Sequence, residues 1–203
     1  LCPDVPGVDD LLRTPDSAVS MRTSEMRLVP PSGKPLCYDF EGLVLDRVTH
    51  DEALVELAQS RGAHYLVGNR VESVEGETVR LRDGSEYTAR VVIGAAGHND
   101  PLRKSEWDEE SLNIPVKFVL MSGDFEDALE LHFGSVAPGG YAWKFPKQGG
   151  ANIGLGIQTS LAGGKSLNEY SEEFISRYEG RIEFRGAGSL PMSGSIGSFV
   201  KGN

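Results

Sequence analysis

Several signatures of familiar chemistry are missing from this chain. No Gly-x-Gly-x-x-Gly turn occurs, so no cradle for a dinucleotide pyrophosphate is assigned. No His-Glu-x-x-His or Cys-x-x-Cys occurs, and His50, His64, His98 and His132 stand isolated, so no metal site is expected. No serine sits in a nucleophile elbow. Cysteine is scarce: Cys2 and Cys37 make neither a disulfide framework nor a ligand spacing, and two free thiols in a reduced, cytoplasmic setting are expected. No apolar run reaches membrane-spanning length. The start, Leu1-Cys2-Pro3-Asp4, lacks both the apolar core of a signal peptide and a methionine, which suggests a piece cut from a longer chain. Basic residues are in deficit, 20 against 30 acidic, for a formal charge of −10. That field disfavours nucleic acid and anionic lipid as general partners. It leaves room for a local apolar contact at a membrane surface.

What remains is an ordinary globular balance, 39% hydrophobic and 25% charged over 203 residues, enough for one domain or two small lobes. Residues 1–45 are proline-interrupted, with strand-like pieces at Ser24 to Val29 and Leu36 to Leu45. Thr49 to Arg61 reads as a helix. Thr49 and Glu52 have capping-box spacing, Ala53, Leu54, Leu57 and Ala58 form an apolar face, and Gly62 follows as a stop. Short strands are expected at His64 to Val67, Arg70 to Val74 and Thr78 to Leu81. Asp83-Gly84 marks a hairpin, and Tyr87 to Ile93 ends as a buried strand before Gly94-Ala95-Ala96-Gly97. From Ile114 to Thr159 strand-length runs alternate with glycine turns, which predicts an antiparallel sheet. Ser166 to Tyr178 is a second helix, with a Ser166/Glu169 capping box and an apolar side of Leu167, Tyr170, Phe174, Ile175 and Tyr178. Arg181 to Arg185 is a further strand.

The most unusual stretch is Tyr141-Ala142-Trp143-Lys144-Phe145-Pro146. As a strand it puts Tyr141, Trp143 and Phe145 on one face, because side chains alternate with period two. Such a wall is either core or the lining of a long apolar cavity. Glycine turns flank it at 138–140 and 148–150. Gly154 and Gly156 leave one side of the next strand bare, open to another backbone or a ligand.

This segment, with the lead-in from Gly134 to Gly140 and with Gly154-Leu155-Gly156, resembles the aromatic-proline and glycine motif of geranylgeranyl reductases, flavoproteins of the p-hydroxybenzoate-hydroxylase-like group. Leu45 to Leu54 with Arg61-Gly62-Ala63 is similar to the family's Asp-Arg helix, and Val91 to Gly97 to its Val-Ile-Gly-Ala-Asp-Gly strand. The match spans about residues 24–203. His50 stands where relatives have Phe, and Ala96 where they have Asp. The family's opening glycine turn and closing Gly-Asp segment do not occur, so the resemblance implies an internal piece that by itself binds FAD weakly or not at all.

The implied fold is α+β / α/β: an antiparallel substrate lobe packed with a helix, plus part of a Rossmann-like FAD lobe. The implied divisions are 1–45 crossing between lobes, 46–97 in the FAD lobe and 98–203 in the substrate lobe. The implied activity is reduction of isolated double bonds in geranylgeranyl or other polyprenyl chains by reduced FAD, with electrons from NAD(P)H or a donor protein. Tyr141, Trp143, Phe145, Pro146, Gly154 and Gly156 would meet the substrate, and Arg47, Gly94, Ala95 and Gly97 the cofactor. No residue is singled out as catalytic. Two other readings stay open: an aromatic hydroxylase or halogenase of the same fold, and a non-catalytic isoprenoid-binding module. The expected setting is cytoplasmic, with or without peripheral membrane contact.

Overall fold

The computed structural model describes residues 14–97, 100–102 and 113–191. Cys2, His98 and the tail beyond 191 lie outside the described residues. The chain forms two compact units. One comprises residues 1–65 and 115–188, the other 66–114 and 189–203.

The first unit is built on a seven-stranded sheet. Its strands are β1 (Val19–Val29), β2 (Leu36–Leu45), β6 (Asn113–Ser122), β7 (Leu129–His132), β8 (Tyr141–Lys147), β9 (Gly150–Gly156) and β10 (Arg181–Pro191), in the spatial order β10-β6-β9-β8-β7-β1-β2. The pairs β6–β9, β8–β9 and β7–β8 are antiparallel, as the glycine-punctuated pattern predicted. The addition is the β1–β2 hairpin, which joins through a parallel pairing of β1 with β7. That contact links residues about a hundred positions apart, so no local pattern announces it. β1 also begins five residues earlier than the expected strand at Ser24.

Helix α2 (Leu167–Ile175) lies on one face of this sheet. Ser166 accepts from the Glu169 N–H while the Glu169 carboxylate accepts from the Ser166 N–H, the reciprocal cap the sequence predicted. The helix stops at Ile175 rather than Tyr178, because the chain tightens into turns closed by Arg177 N–H to Phe174 O and Tyr178 N–H to Ile175 O. Phe174 and Ile175 are buried with Val119, Met121, Ala142, Ile153, Leu155 and Ile157. This is the core, and it occupies one side of the sheet.

Helix α1 (Arg47–Ser60) starts two residues before the predicted Thr49. Asp46 is its cap, accepting from the Thr49 N–H at 3.0 Å, so Thr49 is a helical residue and not the capping one. Ala53, Leu54 and Leu57 are only half-buried, and Ala58 is exposed. The Asp46 N–H donates to Ala18 O at 2.8 Å, which ties the start of α1 to the strand unit. Residues 46–65 therefore group with the seven-stranded sheet, a division different from the one drawn at 46–97.

The second unit holds a three-stranded antiparallel sheet, β3 (Val71–Glu75), β4 (Thr78–Leu81) and β5 (Glu86–Thr88), turned at Asp83-Gly84. Asp83 stabilises that turn by accepting from the Ser85 N–H and hydroxyl. Two expected strands do not form. His64 to Val67 is irregular, and the chain past Thr88 has no strand partner among the described residues. Val91 and Ile93, expected in a buried strand end, are 74% and 82% exposed. Apolar β-branched composition favours a strand only where another strand can pair with it.

The reciprocal cap gives a direct test. Ser166→Ala should cost about 1 kcal/mol in chemical denaturation. Phe174→Ala, which empties the centre of the core, should cost about 3–5 kcal/mol.

Candidate functional site

Strand β8 alternates in burial. Ala142, Lys144 and Pro146 are buried, while Tyr141 is exposed and Trp143 and Phe145 are half-buried. The core side carries the even residues and the opposite side the aromatic ones. This settles the choice left open by the sequence: the rings are not core. It also corrects one expectation, since Pro146 points toward the helix side and lies off the aromatic face.

The aromatic face is wider than the sequence stretch. Phe133, Tyr141, Trp143 and Phe145 make successive ring contacts at 6.2, 5.9 and 6.1 Å between centroids. Cross-strand pairing puts Leu131 beside Trp143, and Leu28 beside Leu131. Phe118 pairs across Gly154 and contacts Phe184 at 6.1 Å. Phe133, Leu131, Leu28 and Phe118 escaped the sequence reading because register alone brings them together.

Trp143 is held in one orientation from β9. Its Nε1–H donates to Asn152 Oδ1 at 2.9 Å. Gly154 is its cross-strand partner, and a Cβ there would meet Trp143 Cζ2 at 2.5 Å, Lys117 O at 2.6 Å and Phe118 Cβ at 2.6 Å. The bare strand at Gly154 thus receives the indole and the Lys117 carbonyl, the close backbone approach that was one of the two uses expected of it. The flanking glycines serve the same end. A Cβ on Gly140 would lie 2.1 Å from Gly156 O, and one on Gly150 2.1 Å from Met121 O, so both serve close approach of the protein's own backbone. Gly156 is buried opposite Tyr141 and Val116.

Beneath the aromatic strip, on the core side, lies a buried polar cluster that the sequence did not reveal. Lys144, 3% exposed, pairs with Glu130 Oε1 at 3.0 Å and donates to Glu126 O at 3.2 Å. Glu130 Oε2 lies 3.1 Å from His132 Nε2 and accepts from the Tyr178 hydroxyl at 3.3 Å. Arg27 approaches Glu130 at 3.7 Å and also binds Glu25 and Glu126. Burial alone would raise the Glu130 pKa, but hydrogen bonds and charge from His132 and Lys144 outweigh it and hold the carboxyl down at about 2. Burial pushes the Tyr178 phenol up, and the Glu130 charge adds to it. Lys144 and Glu130 are direct cross-strand partners. A slip of one residue between β7 and β8 would separate this pair and turn Trp143 and Phe145 into the core.

The residues expected at a cofactor fall in both units. Arg47 is exposed at the start of α1, bound to Asp51 at 2.9 Å. Gly94, Ala95 and Gly97 form an exposed turn in the second unit. No side chain there exceeds a methyl group, so a flat group can approach the backbone. The Asp100 carboxylate accepts from the Ala96 N–H at 2.7 Å and packs against Gly94, where a Cβ would meet it at 2.9 Å. A carboxylate in that position suits the uncharged part of a nucleotide cofactor and opposes a phosphate.

Two predictions follow from this geometry. Gly154→Ala should displace the Trp143 ring and cost about 1–3 kcal/mol, read by denaturation and by tryptophan emission. For Glu130, the folded pKa is depressed from 4.5 to about 2, so its stabilisation is fully present above pH 4.5 and is lost as pH falls toward 2. The stability gap between wild type and Glu130→Gln should therefore be widest above pH 4.5 and close toward pH 2 in urea titrations.

Comparison with known proteins bears on what this face meets. Residues 112–187 match the family model for the geranylgeranyl reductase catalytic domain. The chain is 35% identical over 198 residues to digeranylgeranylglycerophospholipid reductase 1 of Methanococcoides burtonii, covering 85% of this chain and 48% of that protein. It is 33% identical over 176 residues to the digeranylgeranylglycerophospholipid reductase of Methanosarcina mazei, covering 76% and 43%. It thus spans about half the length of the curated relatives it matches. Among solved structures, a geranylgeranyl bacteriochlorophyll reductase-like protein of Thermoplasma acidophilum superposes with a TM-score of 0.71 at 24% identity, over 92% of this chain and 54% of that one. The flavin-dependent brominase Bmp2 shares the fold at a TM-score of 0.64 and 15% identity, over 90% and 53%. The aromatic strip, its glycine partner strand and the sheet that carries them all lie within or beside the matched segment, and residues 112–187 carry a geranylgeranyl reductase catalytic domain.

Proposed function

We propose that the complete polypeptide carrying this sequence is an FAD-dependent reductase of isolated double bonds in geranylgeranyl chains of a lipid. The observation that carries this reading is the position of Tyr141, Trp143 and Phe145 on the sheet face opposite the core. Aromatic surface of that extent left outside the core suits a long apolar ligand. The relatives' names, digeranylgeranylglycerophospholipid reductases, supply the ligand class.

In this reading the rings of Phe133, Tyr141, Trp143 and Phe145, with Leu131 and Leu28 beside them, bind the polyprenyl chain. Each methylene removed from water contributes roughly 0.8 kcal/mol, so a twenty-carbon chain is held without any charged contact. The stacked pair Trp143 and Phe145, 27° between planes, gives a stiff surface on which an alkene is aligned. The same rings exclude water from the reacting carbons. The exposed turn of Gly94, Ala95 and Gly97 would hold the uncharged part of the flavin. Bound FAD would supply the hydride. NAD(P)H or a donor protein would recharge it, and the lipid would be drawn from a membrane surface. An aromatic hydroxylase would need a small polar pocket instead, whereas the cross-strand neighbours of Trp143 and Phe145 here are Leu131, Gly154 and Asn152.

Trp143→Ala tests the reading in the complete protein. Because the ring lies outside the core, flavin content and melting temperature should hold while reduction of a C20 prenyl substrate falls at least about tenfold. Normal prenyl reduction by a folded, flavin-loaded variant would remove the reading.

A further inference from the structure

The Trp143–Asn152 contact has a chemical consequence for the ligand. An indole N–H is a donor and never an acceptor, so the carboxamide must present its oxygen to Trp143. This fixes which way the amide is turned and leaves the Nδ2 donors directed elsewhere. Asn152 is half-buried, and Nδ2 has no hydrogen-bond partner among the described residues. Its place is set by register: β9 puts Asn152 opposite Phe145 on one side and opposite Leu120 on the other. The amide therefore stands between Phe145 and Leu120 and bonds Trp143, with Lys147 and Ser122 one pair further along the same face.

An apolar chain laid over this face would strip water from Nδ2. A desolvated donor with no acceptor is costly, whereas one that meets an oxygen is not. We infer that Asn152 is a specificity-determining residue: its Nδ2 donates to an oxygen of the ligand, so the face selects isoprenoids that carry an alcohol or ether oxygen over hydrocarbons of the same skeleton. The inference rests on the reading that a prenyl chain occupies this face and adds where its oxygenated end lies, beside Trp143 and Phe145.

The site is built so that the two ends of one amide do separate work. Oδ1 orients the ring, and Nδ2 reads the ligand. Substitutions can part them. Asn152→Asp keeps an acceptor for the indole N–H and removes the donors. Asn152→Leu keeps the branching at Cγ and removes both.

The test uses the complete protein with Trp107 replaced by phenylalanine, which leaves Trp143 as the reporter within this sequence. The probes are geranylgeraniol and the hydrocarbon in which its hydroxymethyl group is a methyl, each presented in the same detergent micelles. Binding is followed by the change in Trp143 emission and by competition. Wild type should bind the alcohol at least about tenfold more tightly than the hydrocarbon. Asn152→Asp should keep the wild-type emission of the free protein and lose the preference. Asn152→Leu should shift the emission and lose the preference as well. Equal binding of both probes by wild type would overturn the inference and leave the prenyl reading standing. Retention of the preference by Asn152→Asp would overturn it too. Binding of neither probe would overturn the prenyl reading and this inference together.

Discussion

The two-residue repeat of strand β8 is the constraint on which the rest depends. Six consecutive residues carry two incompatible tasks, and alternation assigns one to each face. Ala142, Lys144 and Pro146 close the core against α2, while Tyr141, Trp143 and Phe145 remain available on the other side. Neither task tolerates a change of register. Small and large residues therefore alternate along the strand, and the partner strand β9 answers with Gly154 where the indole must lie down. The aromatic face is in this sense a by-product of how the core is filled from behind.

What holds that register is partly apolar and partly ionic. The buried Lys144–Glu130 pair sits directly across the β7–β8 ladder, reached by His132, Tyr178 and Arg27. Burying two charges is costly, and their mutual attraction only roughly offsets the desolvation. The cluster is better understood as a device that excludes alternative pairings than as a source of net stability. A slipped strand would leave Glu130 unpaired in the core while Lys144 turned to the other face, and that penalty is far larger than any gain from a different apolar contact. The depressed Glu130 carboxyl is the electrostatic signature of the same arrangement.

Much was readable directly. The Ser166–Glu169 cap, the amphipathic helix behind it and the antiparallel strands between glycine turns all rest on short-range rules, and all appear in the structure. The failures share one cause. Thr49 has capping-box spacing, yet Asp46 caps the helix, because the backbone at 46 is pinned to Ala18. Val91 to Ile93 has the composition of a buried strand and is exposed, because a strand exists only with a neighbour. The glycines beside the aromatic strip left a choice between another backbone and a ligand that only the pairing of distant strands could make, and several of them admit the protein's own carbonyls.

The sequence by itself determined which residues can share a face, where helices are capped, and that three rings recur at period two; these are properties of neighbours along the chain. It also carried the family likeness in those residues. Only the tertiary structure decided that the ringed face is the one without the core, that Pro146 leaves it, and that Phe133, Leu131, Phe118 and Asn152 join it. It alone brought Lys144, Glu130 and Tyr178 together. The physical reason is that strand register and the side chosen by a packing helix are settled by contacts between residues far apart in sequence. A strand with two usable faces does not reveal which of them a distant helix will cover.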